Sequence, residues 1–340
     1  MPESLASIWR RRAVSIPACL GLAVVCAVTA PLWICIVALL DAVNGQRGTW
    51  PRTRALCFFG VYLGCEVAGI ALAGSLWLLT LGGRLIGARR YRDANETLQR
   101  AWTSALFGGA KWLFSIRVVI DGAECARRGP LLLFVRHAST ADTVLTAALV
   151  ANPHRLSLRY VLKRELLWDP CLDIVGRRLP NAFIGRSRQR ARDEIAAIAR
   201  LGADLDPTSA VLIYPEGTRF SADKLETSLS TLRARGDDEL ALIAAGFEHV
   251  LPPRTGGALA LLAAAPNVDA VFVEHVGFEG AASLPSFWGG ALIGKTIHVR
   301  LRRIPAATIP ALDRDRWLFE QWREVDRWIS EKNDLQTRAA

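Results

Sequence analysis

The sequence predicts an α/β domain preceded by a pair of membrane-spanning helices. Short apolar, strand-like runs alternate with helix-period segments from residue 116 onward, the pattern of a sheet covered by helices. Two longer apolar stretches, 16–40 and 55–81, stand near the N-terminus; the first carries no charge and the second only Glu66. Each is long enough to cross a bilayer, which takes about 20 apolar residues. Composition agrees: 51% of the 340 residues are hydrophobic and mean hydropathy is +0.22, high for a soluble chain of this length.

Taken in order, Arg10, Arg11 and Arg12 precede the first apolar stretch. A cleaved signal peptide competes for this segment, with Val28-Thr29-Ala30 as its cleavage-like site, but the apolar run continues to Leu40. Residues 41–54 contain Gly45, Gly48 and Pro51 and read as a turn, so 1–92 forms a helical hairpin and 93–340 the α/β domain. Arg84, Arg89, Arg90 and Arg92 flank the far end. By the positive-inside rule both ends of the hairpin face the cytoplasm, against the opposing signal of Arg47, Arg52 and Arg54 in the link. A hairpin that enters one leaflet and returns is the alternative. Glu66 is an acid in mid-span, either functional or a protonated carboxyl packed on the first helix. Residues 93–115 place Leu98, Trp102, Leu106 and Leu113 at helical spacing. That helix reads as lying between membrane and catalytic domain, or as an ordinary core-facing helix.

Strands follow at 116–120, 131–135, 159–162, 211–214, 268–276 and 296–302, with helices at 140–150, 193–201 and 317–329. The last carries Trp317, Trp322 and Trp328 largely on one side, for packing onto the sheet or for anchoring among lipid headgroups. The seven Cys show no metal-ligand spacing and no disulfide framework; they read as small buried hydrophobes in a reducing setting, and no metal is expected. A net charge of +10 suits nucleic acid, anionic lipid or phosphorylated substrates. No helix-turn-helix or zinc-finger pattern is present, so nucleic acid is not an expected partner.

The chemistry concentrates in 131–142, LLLFVRHASTAD. Its apolar half is a buried strand ending at Arg136 and His137. Inside one helix, His137 and Asp142 would diverge by ~140° at ~100° per residue. They meet only if His137 lies on the strand-to-helix turn and Asp142 at the helix start. A carboxylate on His Nδ1 then leaves Nε2 as a base for a hydroxyl. Ser139 raises the option of a covalent Ser-His mechanism, which lacks a G-x-S-x-G elbow. A second strand runs into VLIYPEGTRFS, residues 211–221.

His137-x4-Asp142 followed by Pro215-Glu216-Gly217-Thr218-Arg219 resembles the 1-acylglycerol-3-phosphate acyltransferase family, the lysophospholipid acyltransferases. Lys163-Arg164-Glu165-Leu166 with Pro170, Gly176 and Phe183-Ile184-Gly185-Arg186 looks like its middle motif. Val250-Leu251-Pro252-Pro253-Arg254 looks like its last, in a context similar to the lysocardiolipin-acyltransferase-like branch. Arg136 departs from the family's usual Asn before the His. The resemblance implies a mixed sheet flanked by helices, and a membrane enzyme on the cytoplasmic face. It implies transfer of an acyl chain from acyl-CoA or acyl-carrier protein, as co-substrate and without a resident cofactor, to a lysophospholipid hydroxyl. His137 would be the base and Asp142 its orienting acid. Lys163, Arg186 and Arg219 would hold phosphate, Glu216 would hold a glycerol hydroxyl, orient Arg219 or sit in an internal salt bridge, and Gly217 and Thr218 would let backbone approach the ligand. Pro252 and Pro253 would shape the acyl pocket. A basic cluster of Arg177, Arg178, Arg188, Arg190 and Arg192 reads as a solvated face or a contact to anionic headgroups. His154, His249, His275 and His298 read as structural. A hydrolase using the same dyad, or a silent membrane scaffold, are the alternative functions.

Overall fold

A computed structural model describes residues 3–339 apart from 140–141, 186–190 and 282. The chain forms two compact units. The first gathers Met1–Arg117, Leu162–Arg186 and Ser283–Lys295, so it extends past Arg92 and takes in two later stretches. The second gathers Val118–Val161, Ser187–Ala282 and Thr296–Ala340.

The first unit is built on α1 (Leu5–Val43), α2 (Pro51–Leu79) and α3 (Ala88–Leu113). Both α1 and α2 are long and apolar enough to cross a membrane, with peak hydropathies of 2.6 and 1.9. Only 6% and 22% of those windows are buried, so Leu22, Val28, Leu32 and Trp33 point outward, as a lipid-facing surface requires. The turn between them is set by Gly45 at φ 72° and by Pro51 at the first position of α2. Buried Asp41 accepts from Arg52 Nη1 at 3.2 Å and from the Thr53 amide at 3.0 Å, satisfying the start of α2. Arg54 donates to the Leu113 carbonyl at 2.6 Å. Two of the three link cations are therefore committed to internal contacts.

The N-terminal arginines are committed too. In α5 (Pro170–Val175), fully buried Asp173 accepts from Arg11 at 2.7 Å, Arg12 at 2.8 Å and Arg177 at 2.8 Å. Arg178 donates to the Ala73 carbonyl at 3.0 Å and lies over the Tyr91 ring. Arg177 and Arg178 thus tie helices together rather than forming a solvated face; Arg192 is exposed, and Arg188 and Arg190 lie outside the described residues. Glu66 takes its hydrogen bonds from α3 and α5. Trp102 Nε1 donates to its Oε1 at 3.0 Å and the Cys171 amide to its Oε2 at 3.2 Å. A Cβ at Gly69 would come within 2.3 Å of Cys171 Sγ, so glycine permits this close approach. All seven Cys are free, but only Cys171 is buried; the expectation of general burial fails because the span helices turn their surfaces outward.

The second unit holds a mixed sheet. Its strands are β1 (Arg117–Asp121), β2 (Leu131–Val135), β3 (Ser157–Lys163), β5 (Ser209–Ile213), β6 (Asp269–Val276) and β7 (Thr296–Ile304), in the order β1-β7-β6-β2-β5-β3. The last residues of β3, Leu162 and Lys163, belong to the first unit, which also holds the short strand β4 (Ala182–Ile184). β2 pairs parallel with β5 and β6, and β3 with β5, while β6 and β7 are antiparallel. Every residue of β2 and β5 is buried, which is why both read as unbroken apolar runs.

The predicted strands fall within two residues of those observed. The helix at 140–150 is less regular than expected: α4 (Asp142–Thr146) passes into a π-helical turn at Ala147–Ala151. The helix at 193–201 is α6 (Ala191–Leu201). Helices α7 (Ala222–Ala234), α8 (Asp238–Ala244), α9 (Thr255–Ala264) and α10 (Leu284–Trp288) were not legible. In α9 the pair Gly256-Gly257 hides the helix; a Cβ at Gly257 would meet Ile198 Cδ1 at 2.9 Å, so glycine allows tight packing on α6. The terminal helix α11 (Arg314–Ala339) buries Leu318, Phe319, Trp322, Val325, Trp328 and Ile329. Trp317 and Trp322 each sit 6.0 Å from the Phe272 ring of β6, so the tryptophans pack on the sheet.

Candidate active site

The central strand β2 is registered with β5 through Phe134↔Ile213 and with β6 through Val135↔Val273. The C-terminal ends of three parallel neighbours therefore open side by side, the place where α/β sheets gather ligand-binding loops. His137 follows β2 by two residues, and Asp142 opens α4. His137 Nδ1 lies 3.1 Å from Asp142 Oδ2, the meeting that a strand-to-helix turn permits and a continuous helix forbids. The same oxygen accepts the Ser139 amide at 2.8 Å. Asp142 is fully buried, whereas the His137 side chain keeps 14% exposure. A fixed acid thus backs a ring whose outer edge reaches solvent. Ser139 is fully buried and offers no exposed nucleophile.

Glu216 accepts from backbone amides of two other loops. Its Oε1 accepts the His137 amide at 2.8 Å and its Oε2 the Leu251 amide at 3.0 Å. One buried carboxyl therefore joins the loops after β2 and β5 to the Val250-Leu251-Pro252-Pro253 turn. Burial pushes its carboxyl up to about 8, against the pull of the two N–H donors and of Arg136. An acid raised in the fold contributes stability that is present below its unfolded value of about 4.3 and is lost as pH rises through about 8. Glu216→Ala should strand two buried amides at about 1–3 kcal/mol each. Thermal unfolding should show a fall of at least about 3 °C, and Glu216's share of the pH-dependent decline between about 4.5 and 8 should be lost.

Arg136, the departure before the His, does not face a ligand. It is 4% exposed and donates to the His275 carbonyl at 2.5 Å, to Glu279 at 2.6 Å and to the His249 carbonyl at 3.3 Å. It clamps β6 and the following turn beneath the site. Gly217 sits at φ 66° with the Arg254 side chain 3.0 Å from where its Cβ would stand, so only glycine fits that turn comfortably. Thr218 Oγ1 accepts from Lys224 at 3.3 Å, and Lys224 also donates to the Arg219 carbonyl at 2.9 Å. Pro252 and Pro253 are buried. Arg219 belongs to the second unit and Lys163 to the first; Arg186 lies outside the described residues. No group of three His, Cys, Asp or Glu among the described residues could hold a metal.

His275, which the sequence presents as structural, lies against the dyad. This residue is fully buried in β6, and its Nε2 faces the Arg136 carbonyl at 3.2 Å and Asp142 Oδ1 at 3.5 Å. The signal was available: Glu274 and His275 are two adjacent polar residues inside a strand whose neighbours are apolar, and buried polar groups require partners.

Residues 117–272 match the Acyltransferase family. The chain carries an acyltransferase-family domain. It is 29% identical over 177 residues to the 1-acyl-sn-glycerol-3-phosphate acyltransferase delta of Homo sapiens, covering 51% of this chain and 45% of that one. The gamma protein of Homo sapiens is 29% identical over 174 residues, covering 50% and 44%. The delta protein of Mus musculus is 25% identical over 290 residues, covering 82% and 74%. The chain thus spans about half the length of the first curated relatives it matches. Among solved structures it shares the fold of the 1-acyl-sn-glycerophosphate (LPA) acyltransferase PlsC of Thermotoga maritima, at a TM-score of 0.52 and 14% identity over 82% of this chain and 97% of that one. The acyltransferase domain covers His137, Asp142, Lys163 and the segment from Glu216 to Arg219.

Proposed function

We propose that the protein is a membrane-bound acyltransferase that moves a fatty acyl chain from acyl-CoA or acyl-carrier protein to the free hydroxyl of a lysophospholipid. An acceptor such as 1-acylglycerol-3-phosphate would give phosphatidic acid. The observation that carries this reading is the 3.1 Å contact between His137 Nδ1 and buried Asp142, with the other edge of the ring open to solvent. Similarity to 1-acyl-sn-glycerol-3-phosphate acyltransferases supports the choice of acceptor. His137 Nε2 takes the hydroxyl proton as the acceptor oxygen attacks the thioester carbonyl. Asp142 holds the Nδ1–H tautomer and stabilises the imidazolium. Collapse of the tetrahedral intermediate breaks the C–S bond, and the departing thiolate takes the proton back from His137. The new ester and the free thiol balance the reaction without a resident cofactor. The catalytic unit faces the cytoplasm, where acyl-CoA is available, with α1 and α2 as the anchor.

Label supplied as acyl-CoA should appear in phospholipid when purified protein is given a lysophospholipid. Release mainly as free fatty acid would instead identify a hydrolase. Arg219 is assigned to the acceptor phosphate. A charge-assisted bidentate contact contributes about 1.5–3 kcal/mol. Arg219→Ala should therefore weaken use of a phosphorylated acceptor at least about tenfold, and Arg219→Lys should recover only part of it because the planar fork is lost. A rise in KM for acyl-CoA alone would move Arg219 to the donor's phosphates.

A further inference from the structure

The carboxylate behind His137 has a second imidazole on its far side. Asp142 Oδ2 is occupied by His137 Nδ1 at 3.1 Å and the Ser139 amide at 2.8 Å. Its Oδ1 is buried and has no hydrogen bond within ordinary reach among the described residues; the polar group facing it is His275 Nε2 at 3.5 Å. The His275 ring is also placed by the backbone on both sides. Its Nε2 lies 3.2 Å from the Arg136 carbonyl, and its own carbonyl accepts from Arg136 Nη1 at 2.5 Å.

We infer that His275 is a positioning residue for the dyad: as a neutral ring with its proton on Nε2, it shares that proton between the Arg136 carbonyl and Asp142 Oδ1 and so fixes the rotation of the carboxylate against His137. This inference rests on the acyl-transfer reading of the site. The tautomer follows from the surroundings. His275 Nδ1 is buried without a hydrogen-bond partner among the described residues, and an unpaired N–H there would cost more than an unpaired lone pair. Burial holds the ring below the usual imidazole range. Asp142 and Glu279 pull the other way and Arg136 reinforces burial, so the neutral form prevails. A carboxylate bonded at one oxygen alone is free to swing about its χ2 axis. With a donor at each oxygen it has one orientation, the one that leaves Oδ2 on His137 Nδ1.

The test compares His275→Gln with His275→Leu in the full-length protein. The Gln amide can reach the place of Nε2–H; Leu keeps bulk without a donor. His275→Gln should keep kcat within about threefold of wild type. His275→Leu should lower kcat at least about tenfold with acceptor KM changed less than about threefold, the split expected of a group that acts only on the reacting geometry. It should also displace the acid limb of the pH–rate profile, which His275→Gln should leave in place. In an Asp142→Ala background His275→Leu should add nothing, because the oxygen it positions is gone. Equal activity and an unchanged acid limb in folded His275→Leu would overturn the inference. So would a full additional loss in the Asp142→Ala background, or folded His275→Gln as impaired as His275→Leu. If His275→Leu does not fold, His275→Met takes its place with the same expectations. A wild-type protein that acylates no lysophospholipid would refute the acyl-transfer reading instead. The same variants are then compared by acyl-CoA hydrolysis, where the same ordering is expected and its absence overturns the positioning role.

Discussion

His137→Ala is expected to reduce acyl transfer by about 10²–10⁴-fold, the contribution of a positioned general base, while the protein stays folded. The two halves of that expectation have separate structural grounds. The imidazole is the group whose Nδ1 is set by Asp142 and whose outer edge is open, so no neighbouring side chain described at the site can assume its role. The link to Glu216 uses the His137 backbone amide, at 2.8 Å, and survives any side-chain substitution other than proline. Alanine therefore removes the base without unfastening the loop. Label transfer from acyl-CoA measures the first half and thermal unfolding the second. Wild-type-like transfer by a purified, folded His137→Ala protein would end the mechanistic assignment.

Asp142→Asn should be nearly as damaging, a loss of about 10³–10⁴-fold, although it changes one atom. The carboxylate stands among groups that want acceptors on both sides. The Ser139 amide and His137 Nδ1 converge on Oδ2, and His275 Nε2 faces Oδ1. If the Asn oxygen takes the Oδ2 place, its amide N–H₂ is driven against His275. If it turns over, the N–H₂ meets the Ser139 amide and forces His137 into the tautomer whose Nε2 carries a proton and cannot accept one. Either way the imidazolium formed during attack loses its counter-charge. Steady-state kinetics should show the fall in kcat with a smaller change in KM. A reduction of less than about tenfold would mean that Asp142 serves the turn rather than the reaction.

Much of the architecture is already written in local pattern. The apolar runs of β2 and β5 are legible because a parallel strand buried on both faces needs no alternation. The span helices are legible because a bilayer demands length and continuous apolarity. His137 and Asp142 could be paired from their spacing at a strand's end, since helix geometry leaves one way for them to meet. Helix α9 was hidden because Gly256 and Gly257 lower local propensity, and only the Ile198 side chain shows why their missing Cβ atoms matter.

What the fold alone decided is which polar groups face which. Glu216 lies beside Arg219 in the chain, and sequence invites pairing them or offering the acid to a ligand. The tertiary structure turns the carboxyl inward onto the amides of His137 and Leu251, because buried backbone donors from two other loops need an acceptor. Arg136, the departure from the family's usual Asn, is a clamp beneath the site, held by the carbonyls of His275 and His249 and by Glu279. His275 stands 133 positions from Asp142 in the chain and 3.5 Å from it in space. Sequence determined every strand but β4, the spans and the pairing of His137 with Asp142, because each rests on periodicity or short spacing. The partners of the buried polar groups were decided by strand order, which brings β6 beside β2 and which no local pattern encodes.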